Sequence, residues 1–157
     1  MADKTEAERG QEYLTEILKL MGYQGDVTVH EGEDRLTLEV KGEDVGQLIG
    51  RKGATLDALQ LLVAKMVTKG AETTRPIVVD VAGYREQRNG ELLAMAAKKS
   101  DEAIKTGRVI ALEPMSAHDR RVIHVALTDT PGVTTRSEGE GVNRRLMIVP
   151  TGPGAAS

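Results

Sequence analysis

The sequence predicts an α+β chain of two small domains, the first ordered αββααβ and the second αβαββ. Three observations carry this. Segments with apolar residues at helical spacing alternate with short β-rich runs in which apolar and polar residues take turns. A basic corner bounded by glycines, Gly50-Arg51-Lys52-Gly53, separates a short apolar turn from a long amphipathic stretch. Farther along, Arg120 and His124 stand four residues apart in another helical pattern, and a second pair of strand-like runs follows. The 157 residues, 39% of them hydrophobic, suffice for packed cores. With no Phe, no Trp and 3 Tyr, those cores must be built from Leu, Val, Ile, Met and Ala.

Taken in order, Tyr13, Leu14, Ile17, Leu18 and Met21 share one face of a helix over 5–21, and Gly22 supplies its stop. Residues 27–29 and 36–40 alternate and form a hairpin around Glu31-Gly32-Glu33-Asp34. Asp44 reads as an N-cap with Gln47 at the capping-box position, opening a short helix ahead of the glycine corner. The long helix after the corner has Leu56, Leu59, Leu62, Val63, Met66 and Val67 apolar, and Pro76 opens a strand through Val81.

Residues 83–106 are mostly helical, with Leu92, Leu93, Ala96, Ala97, Ala103 and Ile104 available for one face. Residues 108–112 read as a strand, ended by Pro114. Ser116 then caps a helix through Leu127, with Asp119 at the capping-box position and Val122, Ile123, Ala126 and Leu127 as core contacts. Residues 133–137 and 144–149 form a second hairpin. The chain thus divides into an acidic segment 1–7, a first domain 8–82, a second domain 83–150 and a disordered tail 151–157.

The chemistry of the corner follows from its residues. Glycine turns the backbone tightly and leaves no Cβ in a ligand's way, while Arg51 and Lys52 place two positive charges at the start of a helix. A phosphate backbone suits such a corner. A nucleotide-hydrolysing phosphate loop does not fit: Gly46 and Gly50 enclose three residues rather than four, and Lys52 is followed by Gly53 where a magnesium-binding hydroxyl is needed. Loop and element order together resemble a KH domain of the bacterial, type II arrangement. That resemblance implies that Gly50, Arg51, Lys52 and Gly53 clamp a nucleic-acid backbone.

Composition removes other classes. The scarcity of aromatics excludes a module that stacks bases on exposed rings. Zero cysteines exclude disulfides, thiolate catalysis and cysteine-based zinc sites. Neither a membrane-spanning apolar run nor the apolar core of a signal peptide is present, so the expectation is a cytoplasmic protein without a membrane role. The net charge of -3 hides an asymmetry, since residues 1–44 carry 5 Lys+Arg against 12 Asp+Glu and the remainder 16 against 12. Phosphate attraction follows the local field, so the basic remainder can bind despite the acidic total.

In the second domain Arg120 offers a planar fork for phosphate, and His124 can donate a hydrogen bond or stack on a base. Arg121, Arg136, Arg144 and Arg145 extend the basic character across the hairpin. The spacing resembles the Arg-x-x-x-His single-stranded nucleic-acid-binding domain. So do the flanking segments Leu112-Glu-Pro-Met115, Asp119-Arg-Arg-Val-Ile-His124 and Val133-Thr-Thr-Arg-Ser-Glu-Gly139, in the same order.

A KH domain followed by an Arg-x-x-x-His domain resembles the bacterial Jag family of SpoIIIJ-associated proteins, also called KhpB or EloR, over residues 8–150. The resemblance implies a cytoplasmic RNA-binding regulator connected with cell elongation and envelope growth, partnered by the small KH protein KhpA. Many members carry a separate N-terminal Jag domain and long linker, where residues 1–7 here are a short acidic segment. His118-Asp119 also departs from the aromatic-acid pair common in the family.

The expected function is therefore non-catalytic binding of single-stranded RNA, with single-stranded DNA left open, and no cofactor or metal. The competing class is a protein-interaction module in which the KH fold makes a homodimer or a heterodimer and nucleic acid is incidental. A nuclease built on His124 or His118 with Asp119 is the weakest reading, because the sequence offers no metal cluster or activated nucleophile.

Overall fold

A computed structural model describes residues 3–69 and 75–152. The chain divides into two compact units, with the boundary between Arg85 and Glu86. Of the tail expected to be disordered, residues 153–157 lie outside the described part.

The first unit contains α1 (Glu6–Leu20), β1 (Asp26–Glu31), β2 (Leu36–Lys41), α2 (Ala54–Thr68) and β3 (Ile77–Val81), with two 3-10 turns, Val45–Leu48 and Arg51–Gly53, between β2 and α2. Helix α1 starts at a reciprocal cap. The Thr5 hydroxyl accepts from the Glu8 amide at 3.2 Å, and the Glu8 carboxylate accepts from the Thr5 amide at 2.8 Å. Strand β1 pairs antiparallel with β2, and β2 pairs parallel with β3, giving the sheet order β1-β2-β3. Leu36, Leu38 and Val40 of β2 with Ile77, Val79 and Val81 of β3 form the buried face, as the alternation requires. Leu14 and Leu18 of α1 and Leu56, Leu59, Val63 and Val67 of α2 complete this core.

The short helix expected before the glycine corner is a single 3-10 turn, and its start differs from the expected cap. Asp44 has φ 61 and makes no side-chain cap hydrogen bond. Gln47 turns its amide oxygen to the Tyr23 hydroxyl, which donates to it at 3.2 Å. One turn of 3-10 helix exposes too few orphan amides to need a box; burial of Val45 and Leu48 holds it instead.

The second unit uses α3 (Tyr84–Thr106) from Glu86 onward, β4 (Ile110–Ala111), α4 (Ala117–Leu127), β5 (Val133–Glu138) and β6 (Arg145–Pro150). Its sheet is antiparallel, in the order β4-β6-β5. The core joins Leu92, Ala96 and Ala103 of α3 to Ile123 and Leu127 of α4 and to Val133, Leu146 and Ile148. Leu93, Ala97 and Ile104, expected on the inner face of α3, are exposed, and Ser100 takes the inward position, its hydroxyl donating to the Ala97 carbonyl. The i, i+4 row Leu92, Ala96, Ser100 points inward, and a narrower stripe suffices for one helix and a three-stranded sheet. Ala126 is likewise exposed.

Asp119 also departs from expectation. The Ser116 hydroxyl caps α4 by accepting from the Asp119 amide, but the Asp119 carboxylate leaves the helix start and is buried against Arg88. Both Nε and Nη2 of Arg88 donate to the same carboxylate oxygen, at 3.1 and 2.9 Å. Removing one partner strands a buried charge. Arg88→Ala and Asp119→Ala should therefore each lower stability by about 3 kcal/mol, and the double variant by clearly less than the sum. Thermal unfolding of the three variants checks this; additive losses would mean that the two side chains act independently.

Candidate nucleic-acid interface

Two places gather the expected site residues, one in each unit. In the first unit, the chain leaves the buried Leu48 and turns through Gly50 (φ 71, ψ -174), Lys52 (φ 54, ψ 29) and Gly53 (φ 82, ψ 9) into α2. The Gly50 conformation is open essentially to glycine alone. Space enforces the same choice: a Cβ at Gly50 would collide with the Thr55 hydroxyl and stand 2.8 Å from the Thr55 amide nitrogen, and one at Gly53 would stand 2.9 Å from Tyr84 Cε1. Arg51 and Lys52 are exposed at the tip. The corner closes on itself, with the Gly53 amide donating to the Gly50 carbonyl at 3.4 Å and the Leu56 amide to the Ile49 carbonyl at 3.1 Å.

Helix α2 thus starts from Gly53 without a side-chain cap, and its positive end lies beside two cations. The acid in its first turn, Asp57, is paired with Arg85 at 2.9 Å and so does not oppose an incoming anion. Arg85 also donates to the Val79 carbonyl and to Gln60, fixing the segment after β3 against α2. That anchoring seats Tyr84 beside Gly53. Neither Tyr84 nor Arg85 is singled out by the sequence: they lie about thirty residues from their partners, and no local pattern links them.

In the second unit, Arg120 and His124 project from one face of α4 and join it to β5. Arg120 donates from Nε to the Met115 carbonyl at 3.2 Å and from Nη1 to the Ser137 hydroxyl at 2.9 Å, while His124 Nδ1 bonds the Thr135 hydroxyl. Helix spacing of four meets strand spacing of two, so one turn of α4 registers with alternate residues of β5. A cavity of about 430 Å³ opens there, lined by Arg120, Arg121, His124, Thr135, Arg136 and Ser137 together with Ala117 and Leu146. Arg136, exposed, also pairs with Glu138 at 2.8 Å, a contact that costs little to break. Arg144 is not among the lining residues; its Nη1 donates to the Gly139 carbonyl at 2.7 Å and braces the loop between β5 and β6.

The place for a hydrolytic pair does not form, since Asp119 is held by Arg88 and His124 by Thr135. Among the described residues no cluster of His, Cys, Asp or Glu could hold a metal ion, and no helix is long and apolar enough to cross a membrane.

Comparison with known proteins identifies a domain in each unit. Residues 11–81 match the KhpA/KhpB KH domain, and residues 90–150 match the Arg-x-x-x-His domain. The chain is 35% identical to the RNA-binding protein KhpB of Clostridium symbiosum over 92% of its own length and 66% of that protein. It is 35% identical to the KhpB of Bacillus subtilis over 87% of its length and 66% of the relative. For the KhpB of Lactiplantibacillus plantarum the figures are 34%, 87% and 42%. The chain thus spans just under two thirds of the first two relatives and less than half of the third.

The contacts at the corner order the cost of adding one methyl group. Gly50→Ala should lose about 2–3 kcal/mol, because the clash includes backbone and the φ is forbidden to alanine. Gly53→Ala should lose about 1–2 kcal/mol, from its left-handed φ and the contact with the Tyr84 ring. Gly46→Ala, which meets open space, should be neutral. Chemical unfolding of the three variants reads this order, and a Gly50→Ala protein as stable as the parent would overturn it.

Proposed function

We propose that the chain, in which a KhpA/KhpB-type KH domain is followed by an Arg-x-x-x-His domain, is a KhpB-type protein that binds single-stranded RNA without catalysing a reaction on it. The observation that carries the proposal is the uncapped, positively charged corner at Gly50–Gly53, whose neighbouring acid is already neutralised by Arg85. Its exposed cations and helix terminus address the phosphate backbone, which gives grip without reading bases. The cavity at Arg120, Arg121, His124 and Arg136 supplies a second contact. Two modest sites on one chain raise each other's effective concentration, so the pair binds where either alone is feeble. A protein that works on cellular RNA is expected in the cytoplasm.

A second reading adds a protein partner to this one. Leu61 and Leu62 on α2 are 60% and 48% exposed, an apolar pair on a helix whose opposite face fills the core. Such a face suits a second KH domain, either another copy of the chain or a small KhpA-type protein.

Arg51→Asp/Lys52→Asp should weaken binding of a labelled single-stranded RNA by about tenfold or more and flatten its salt dependence. Arg121→Ala/His124→Ala should weaken it by several fold, the fold of each variant being checked by circular dichroism. If both bind like the parent, the site assignment fails. Sizing the protein before and after nuclease treatment tests the partner: a complex that survives nuclease and is lost in Leu61→Ser/Leu62→Ser supports the protein face, and a monomer in both conditions removes it.

A further inference from the structure

Helix α4 has a second side that the Arg120 cavity does not use. There Leu93 of α3 faces Val122, Val125 and Ala126 of α4 across a groove of about 400 Å³, with His118 and Arg121 as its polar members. Leu93 is 50% exposed and Val125 60%, although the adjacent Leu92 is fully buried, so two large aliphatic side chains stand in water beside a completed core. Arg121 lines both this groove and the Arg120 cavity.

We propose that this groove is a nucleobase subsite, taking one base of the bound strand between Leu93 and Val125, with purine preferred, while Arg121 meets that nucleotide's phosphate. The proposal rests on the RNA-binding reading and extends it from backbone grip to base contact. Three observations select this occupant. The walls are apolar and offer almost no hydrogen-bonding edge, which suits the flat face of a base rather than readout of its rim. The polar lining residues include no acid, so the electrostatic complement is an anion and not a basic peptide. Arg121 makes the groove continuous with the cavity already assigned to the strand, so a chain crossing α4 can pass its backbone over that guanidinium. The purine preference follows from area: the larger ring system removes more apolar surface from water.

The test compares fluorescein-labelled decaadenylate and decauridylate on the full chain by fluorescence anisotropy, in the parent and in Leu93→Ser and Val125→Ser. Both positions are exposed, so the core stays filled, and thermal unfolding verifies it. The parent should favour decaadenylate by about threefold or more. Each variant should bind decaadenylate about fivefold more weakly while changing decauridylate by less than about twofold. Variants that keep the parent's affinity for both oligonucleotides overturn the subsite and leave the RNA-binding reading standing; a groove that receives a protein segment instead gives this result. A parent that binds neither oligonucleotide overturns the RNA-binding reading and the subsite with it.

Discussion

The backbone over residues 50–53 closes only because no side chain stands at either end of it. Thr55 occupies the space beside Gly50, and the Tyr84 ring occupies the space beside Gly53, so the two glycines are the points at which the chain can approach its own helix. The rest of the first unit secures that approach. Leu48 sinks into the core ahead of the corner, the Ile49 carbonyl takes the Leu56 amide, and Arg85 anchors the segment that carries Tyr84. The proposed phosphate-binding surface, made from backbone and two exposed cations, is thus held by residues that need never touch a ligand.

In the second unit the residues suited to bind a ligand are also the ones that hold the site together. Arg120 and His124 spend hydrogen bonds on Ser137 and Thr135, and those bonds set the distance between α4 and the hairpin. Arg120 is half-buried and committed to two partners, whereas Arg121 and His124 are exposed. The pair therefore separates into a positioning arginine and a reaching histidine, with Arg121 and Arg136 supplying the accessible charge. Beneath them the buried Arg88–Asp119 pair ties α3 to the start of α4.

Much of this was legible in the residues. Alternation at Leu36, Leu38 and Val40 predicts the buried face of β2, and the apolar spacing of Leu56, Leu59, Val63 and Val67 predicts the inner face of α2. The glycine corner and the Arg/His spacing predict a tight loop ahead of one helix and a shared face on another, and both form where the spacing puts them. What failed was choice of partner. Asp44 and Asp119 both stand where a cap would be expected, but one lies at a 3-10 turn too short to require it and the other is drawn away by an arginine 31 residues earlier. Periodicity likewise allowed α3 a wide apolar face including Leu93 and Ile104, and only the width of the opposing sheet decides how much of it is covered. Tyr84 and Arg85 carry no local signal at all, because their importance is created by tertiary contacts.

The geometry of the corner also governs its exposure to proteolysis. Arg51 and Lys52 present two consecutive tryptic bonds on the surface, yet a protease must draw several residues into an extended line before it can cut. Lys52 sits in a left-handed conformation between two hydrogen-bonded anchors, so the bonds become scissile only when the Gly53–Gly50 and Leu56–Ile49 contacts open together. The rate of cutting there is consequently a clock for local opening of the start of α2, readable while the remainder of the unit stays folded.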